Sequence, residues 1–579
     1  MKLPLLIPLA LIRSGASLLT PLQSSRQKPG SRSIVLTSSS GAMDQATASE
    51  INGSAERTQV DDEEESGVSE IRPIHQNWWP VSTTFALDKS RPNPVDLLNQ
   101  KLVVFWSESE NEWKCLDDRC SHRFAPLSEG RVIDNNCLQC AYHGWEFNGE
   151  GKCTKVPQAA RGAVGRSVTG YPVRVEASMV FVWADPDSFD TLGKSTTIPI
   201  FPKLKEAVEV QGESFCFMRD LPYGYELLGE NLLDLSHLPF SHHGVGNLDR
   251  ELGCPLPFRV LPASEKSKDN PLYEVILEDA ANTDPTYKGF PVPVPPDASL
   301  NLGFYDPCHV RYTRQRVPGD ENTASVVALY MCPTLMNKSR VFLFNIFPKR
   351  PPPPKKTKLQ RLKSWVTPSE IKQKLAMYAL ARLFTPVFGH LMSHKIFDGD
   401  GIFLHKQGDR MARSGLSYKD YDTPSSADVM VNKFRRYSNA ASQNARLLGL
   451  EQLAESVSPS SGYNDNLPRS EMLDRYESHT KHCKICLEAL EKAQLKKKRL
   501  ELVQTALIGA AGASSVTLAG GLGLSLLRTL RVPSILLKGA AGVTLSCVGG
   551  CKLTSKLKAK VEKEIQQFLF EDYIHADKH

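Results

Sequence analysis

Two short hooks of metal-ligating residues restrict this chain more than any other feature. The first is Cys120-x-His122. The second, after seventeen intervening residues, is Cys140-x-x-His143. Structural zinc sites usually use Cys-x2-4-Cys hooks, which put two sulfurs on one loop. Here each hook offers one Cys and one His. That suits a cluster with one iron on two thiolates and the other on two imidazoles, a [2Fe–2S] centre. A Cys2His2 zinc knuckle is the competing reading.

Such a cluster alone names only an electron carrier. A second set of ligands, about ninety residues on, gives it something to feed. The string is Asn231-x-x-Asp234-x-x-His237-x4-His242-His243-Gly244. His237 and His242 are five apart and do not stack on a regular helix; a break near Pro239 would re-aim the second ring. Two His plus one carboxylate, with open positions, form the facial triad of non-haem Fe(II) oxygenases. His243 reads as a surface residue.

The strings DRCSHRFAPLSEGRV, CAYHGWEFNGEGKC, NLLDLSHLPFSHHG, DGDGIFLHKQ and YESHTKHCKIC resemble the Rieske non-haem iron oxygenases. The closer resemblance is to the plant and algal branch of pheophorbide a oxygenase, chlorophyllide a oxygenase-like enzymes and a translocon-associated Rieske protein. It runs from about Trp78 to the C-terminus, and the late Cys-x-x-Cys is particular to the subgroup. Carried over, it makes Cys120, His122, Cys140 and His143 the cluster ligands and His237 and His242 ligands of the catalytic iron. Asp400 sits where the third iron ligand is expected, before the apolar Gly401-Ile402-Phe403-Leu404, with Asp398 as the alternative. Asp234 would orient His237 and carry the electron path to the cluster of a neighbouring subunit. The resemblance implies a ferredoxin donor, O2, a chlorophyll-derived tetrapyrrole in a mostly apolar pocket, and a homotrimer. A redox-sensing component of the plastid protein-import machinery is the alternative role, and a sterol or small-amine oxygenase a third.

The 579 residues exceed one ordinary core. A formal charge of +6, with no aromatic-interleaved basic stripe, gives no reason to expect nucleic acid. The 13 Cys suit a reducing compartment with metal and thiol chemistry rather than a disulfide framework. Residues 1–43 read as a two-part plastid-targeting region: Lys2 and an apolar run from Leu3 to Ile12, then a Ser-rich, basic, acid-free stretch. Residues 44–75, containing DDEEESGVS, read as an acidic disordered linker.

The expected fold class is α+β. Short strands such as Leu102–Trp106 and Met179–Trp183 argue for an all-β Rieske domain at 76–195. An α+β catalytic domain at 205–410 follows, an antiparallel sheet covered by helices. It includes strands near Tyr273–Leu277, Ser325–Tyr330 and Val341–Phe347, a PPPPKK surface loop, and a helix at 367–396 with Leu375, Tyr378, Ala379, Leu383 and Phe388 on one side. Residues 411–500 read as a polar linker plus the Cys483-x-x-Cys486 segment. That pair suggests thiol–disulfide regulation by thioredoxin, with half a zinc site as the other reading.

An uncharged run at Leu502–Leu527 and a second apolar segment at Val532–Cys551, whose Lys538 could snorkel, read as a transmembrane hairpin at 501–552, each with a Gly-Ala-Ala-Gly string for close helix contact. Its Lys-rich outer flanks place the catalytic domains on the stromal side of a plastid membrane, envelope or thylakoid. The tail at 553–579 would lie on the membrane surface.

Overall fold

Two-residue turns set the register of the first domain. Leu98-Asn99 and Ala177-Ser178 all have positive φ, at 49°, 61°, 48° and 61°. This backbone, mirror-image to a common turn, matches strand twist in tight hairpins. Each turn joins two strands, one of which, at Leu102–Trp106 or at Met179–Trp183, forms where the sequence placed it. The computed structural model describes residues 71–133, 136–160, 163–212, 216–245, 248–277, 299–315, 324–347, 385–455, 457, 467–526 and 532–575. The targeting region, the acidic linker to residue 70, the PPPPKK loop, residues 367–384 and the turn with Arg528 and Arg531 lie outside them.

The first eleven strands are β1 (Trp78–Thr83), β2 (Asn93–Leu97), β3 (Gln100–Ser107), β4 (Glu112–Asp117), β5 (Arg131–Val132), β6 (Leu138–Gln139), β7 (Glu146–Phe147), β8 (Cys153–Lys155), β9 (Gly170–Tyr171), β10 (Val173–Glu176) and β11 (Met179–Trp183). They form three small antiparallel sheets, ordered β1-β11-β10, β2-β3-β4-β9 and β5-β6-β7-β8. β11 is buried along its whole length. Trp78 and Trp183 meet edge-on at 5.6 Å, worth roughly 0.5–1.5 kcal/mol beyond the area they bury.

The second domain is built on seven strands: β12 (Cys216–Leu221), β13 (Phe258–Val260), β14 (Tyr273–Leu277), β15 (Ser299–Tyr305), β16 (His309–Gln315), β17 (Ser325–Pro333) and β18 (Ser339–Ile346). Their order, β12-β18-β17-β16-β15-β14-β13, is a meander from β13 to β18 with β12 added beside β18. All neighbours are antiparallel. Helices α1 (Tyr225–Leu233), α2 (Leu238–Ser241) and α3 (Pro386–Ser414) carry the residues of interest.

Two expectations about this domain change. The helix at 367–396 does not run through Thr385, which is extended (φ −82°, ψ 157°), as the residue before a proline tends to be. Pro386 instead starts α3, which continues past 396 to Ser414 despite Gly399 and Gly401. The polar stretch beyond 411 is not all linker. Val429–Leu447 forms α4, whose Met430, Phe434, Tyr437 and Ala441 enter the main core. Gly229 of α1 lets Phe434 in: a Cβ there would lie 2.1 Å from the ring. Arg435 of α4 is buried between Glu226 and Glu230 of α1. The segment looked polar because only one face of α4 is apolar.

Two long helices, α5 (Lys484–Leu526) and α6 (Ser534–Leu569), pair along most of their length. Both are long and apolar enough to cross a membrane, and their most apolar windows are exposed. Ser514 and Thr544 bond across them at 2.7 Å. The close approaches are at Gly521 and Gly550, where a Cβ would meet Leu537 at 2.8 Å and Leu507 at 3.0 Å. The Gly-Ala-Ala-Gly glycines, Gly509, Gly512, Gly539 and Gly542, have nothing within 4 Å of such an atom. Helix periodicity turns them off the seam. The tail is also not merely superficial. Val561, Ile565 and Phe568 pack with Cys486 and Leu490, and Tyr573 donates to the Ser241 carbonyl at 2.9 Å.

Candidate metal centres

The two hooks are one loop built twice. In each, the amide four residues after the Cys donates to the Cys carbonyl: Phe124 to Cys120 at 2.9 Å, Gly144 to Cys140 at 3.0 Å. In each, the Cys amide donates five residues on, to Ala125 at 2.9 Å and Trp145 at 2.8 Å. The fourth residue is left-handed in both, at φ 59° for Phe124 and 73° for Gly144. The histidines occupy different places in this shared frame, and their rings lie 4.5 Å apart. His122 also stacks on Trp145 at 4.7 Å.

The cysteines point inward, each only 2% exposed in a core with Phe105, Leu116, Leu138 and Phe147. Phe124 and Tyr142 at the loop tips are 69% and 64% exposed. Burial pushes the Cys120 thiol up to about 11, and Cys140 beside it adds to the rise. A metal that takes the place of its proton would hold that thiol as the thiolate. His122 Nδ1 is buried without a hydrogen bond. This donor set fits a [2Fe–2S] cluster with its thiolate side inside and its imidazole side outward.

The second centre forms where α1 stops. Asp234 is the C-cap of α1; His237 and His242 then flank α2 as N-cap and C-cap. Pro239 is not the break. It sits in the first turn of α2, where a missing N–H costs nothing. The two rings sit instead at the opposite ends of the single turn of α2, where His242 has left helical backbone (φ −110°, ψ 24°). Asp400 comes from the middle of α3, its Oδ1 lying 3.2 Å from His242 Nε2 and 3.6 Å from His237 Nε2. All three ligand atoms fall within 4.8 Å of one another.

Both nitrogens of the fully buried His242 lack a hydrogen bond. Such a group is costly unless something else satisfies it, and an iron held by the triad would satisfy Nε2, the nitrogen that faces Asp400. Burial works against the charge of Asp400, but His237 and His242 outweigh it and hold the carboxyl below its usual range. Burial likewise opposes a charged His237, yet Asp400 and Asp234 raise it.

Asp234 Oδ2 lies 3.4 Å from His237 Nδ1, and its other oxygen accepts from Ser236 N and Oγ at 2.6 Å. Asp398, the sequence alternative, is engaged elsewhere: Arg219 and Arg475 each reach it at 2.6 Å. His243 stands apart, 3.4 Å from Asp249.

A cavity of about 570 Å³ opens beside the triad, within the 300–1,000 Å³ usual for small-molecule sites. Phe240, Phe403, Leu404 and Val431 line it, but so do Asn231, Gln407, Tyr421 and Asp428. The wall is mostly apolar by area, as expected, with these polar groups set into it. Gly399 is what lets His242 approach: a Cβ would sit 3.1 Å from His242 Nδ1 and from Tyr573 Cζ. Gly399→Ala is expected to lower turnover about 10–100-fold, as changes beside metal ligands do. Alanine's better helix propensity would favour α3 by about 1 kcal/mol. Steady-state oxygen uptake and a thermal melt check the two effects separately.

Sequence reasoning missed four contributors. Tyr573 and His575 of the tail reach Ser241 and Gly399 by their carbonyls, at 2.9 and 3.0 Å. His390 and His479 join the late cysteines, placing Cys483, Cys486 and both rings in one buried group. A signal existed: His390, His394 and Asp398 recur every four residues, one face of a helix.

The Rieske [2Fe-2S] domain family matches residues 77–174, and the Pheophorbide a oxygenase family matches 304–417. Pheophorbide a oxygenase of Oryza sativa subsp. japonica is 29% identical, over 86% of this chain and 84% of its own. Flavonoid 8-hydroxylase 2 of Ocimum basilicum is 30% identical, over 76% and 78%. Protochlorophyllide-dependent translocon component 52 of Arabidopsis thaliana is 28% identical, over 72% and 73%.

Proposed function

The chain belongs to the Rieske non-haem iron oxygenase family, and we propose that it is a plastid-membrane monooxygenase of a chlorophyll-derived tetrapyrrole. The observation that carries this is the His237, His242 and Asp400 triad opening on a cavity of about 570 Å³. Its relatives are chloroplastic proteins, two of them named for pheophorbide a oxygenase. The apolar parts of α5 and α6 suit an enzyme kept near amphiphilic pigment.

Family membership implies a [2Fe–2S] cluster and a mononuclear iron. When bound, these supply single electrons and an O2-activating centre. Cys120 and Cys140 would hold the inner side of the cluster, and His122 and His143 its outer side. His237, His242 and Asp400 would hold the mononuclear iron. Asp234 Oδ2, 3.4 Å from His237 Nδ1, would hold the proton on that nitrogen and turn Nε2 toward the metal, which would displace the 3.3 Å contact Nε2 now makes with Asn231 Nδ2. Ser241 donates to Asp400 Oδ1 at 3.0 Å and so limits how that carboxylate can turn.

The outward face at His143, Phe124 and Tyr142 is where a ferredoxin would deliver electrons. It is also the face that would meet Asp234 of a neighbouring copy in a trimer. The translocon-type role has relatives in its favour, but an import sensor has no need of an intact triad beside a cavity.

Anaerobic reconstitution with plant-type ferredoxin, followed by ¹⁸O2 and mass analysis, tests the proposal. Pheophorbide a, chlorophyllide a and a flavone are offered in parallel. A labelled pigment product is expected. Oxidation of the flavone alone, or of none, overturns the substrate assignment.

A further inference from the structure

We propose that Cys483, Cys486, His390 and His479 form a structural zinc site, separate from both iron centres. The sequence showed half of it; the fold brings the other half from elsewhere. His390 comes from the first turns of α3, and His479 from the segment just before the Cys-x-x-Cys. The four ligand atoms all lie within 4.8 Å of one another. The residues are 8%, 0%, 4% and 2% exposed, in the order named.

The distances fit a shared cation. A tetrahedral zinc with Zn–S of about 2.3 Å and Zn–N of about 2.0–2.1 Å has ligand–ligand edges of about 3.3–3.8 Å. Observed here are His479 Nε2 to Cys486 Sγ at 3.3 Å, and His390 Nδ1 to both sulfurs at 3.4 Å. One ring nitrogen carries at most one hydrogen, so His390 Nδ1 cannot donate to both sulfurs at once. A metal between them accounts for both contacts.

The groups around the ligands are arranged to match. His479 Nδ1 lies 2.6 Å from the Met218 carbonyl, which fixes its proton there and turns the Nε2 lone pair to the sulfurs. Cys483 stands immediately before α5 and Cys486 in its first turn, where amide dipoles favour thiolates. With four protein ligands and no open position, the site is of the structural kind. It ties α3, ten residues before Asp400, to the start of the membrane-directed helix α5. Metal affinity there becomes folding free energy. A cleft of about 20 Å³, room for little more than a water, touches Cys483 and His479.

The test uses the full chain in detergent, with both iron centres loaded. Elemental analysis is expected to find one zinc per chain beside the iron. Zinc K-edge absorption is expected to show two sulfur and two nitrogen neighbours. Cys483→Ser should cut zinc at least tenfold and leave iron content and cluster spectrum unchanged. A chain grown with zinc yet free of it, a sulfur-free shell, or full zinc in Cys483→Ser overturns the assignment. So does a Cys483–Cys486 disulfide cycled by thioredoxin in a zinc-free chain. The absorption measurement needs no variant, so a misfolded substitution does not protect the idea.

Discussion

His237→Ala is expected to lose the mononuclear iron, keep the cluster and stop product formation. The reason is positional. His237 supplies one of three atoms gathered within 4.8 Å, whereas the cluster hooks belong to a different domain with its own small core. Two atoms of the triad remain, His242 Nε2 and Asp400 Oδ1, and two ligands hold a divalent ion far less well than three. Iron assay should show the loss of one iron per chain. The visible spectrum of the cluster should be unaltered. Asp234→Asn is the informative contrast: iron stays, and turnover falls about 10–100-fold because only the orientation of the ring is disturbed. Oxygen-dependent pigment oxidation surviving in His237→Ala would remove the triad from the reaction.

Asp398→Ala should be among the most destabilising single changes in the catalytic domain, at about 3–5 kcal/mol. Its carboxylate is fully buried between Arg219 and Arg475, themselves 2% and 1% exposed. Removing it takes the carboxylate from the buried Arg219 and leaves Arg475 with Glu571 as its remaining carboxylate partner. Arg475 also holds the Gln567 carbonyl at 2.8 Å, so the loss reaches the end of α6. Asp400→Ala, two residues along the same helix, should do the reverse: it abolishes iron binding and activity at little cost to the apo fold. Denaturant titration of both variants, each stripped of mononuclear iron, separates them. A loss below about 1 kcal/mol in Asp398→Ala, or a larger loss in Asp400→Ala, contradicts this division of labour.

Several features were legible in the residues because they are local. A Cys and a His a few positions apart share one loop in any fold. Strands such as β3 and β11 announce themselves as apolar runs between turns. Apolar stretches as long as those in α5 and α6 mark themselves by length and composition. Where sequence reading failed, it failed through amphipathy and distance. α4 looked like linker because its buried face is interleaved with Arg435, Arg436 and Asn444. The seam glycines were misplaced because composition does not say which side of a helix meets its partner.

The sequence by itself determined the kind of cluster, the histidine pair His237 and His242 and the presence of a thiol pair, because each is written within a short run of residues. Only the tertiary structure decided between Asp398 and Asp400. The two acids are two residues apart on one helix, about 200° around its axis. One therefore turns to the arginines and the other to the histidines. Tertiary structure alone also turned the Cys-x-x-Cys into a four-ligand site, since His390 lies ninety-three residues before Cys483 and no local spacing links them.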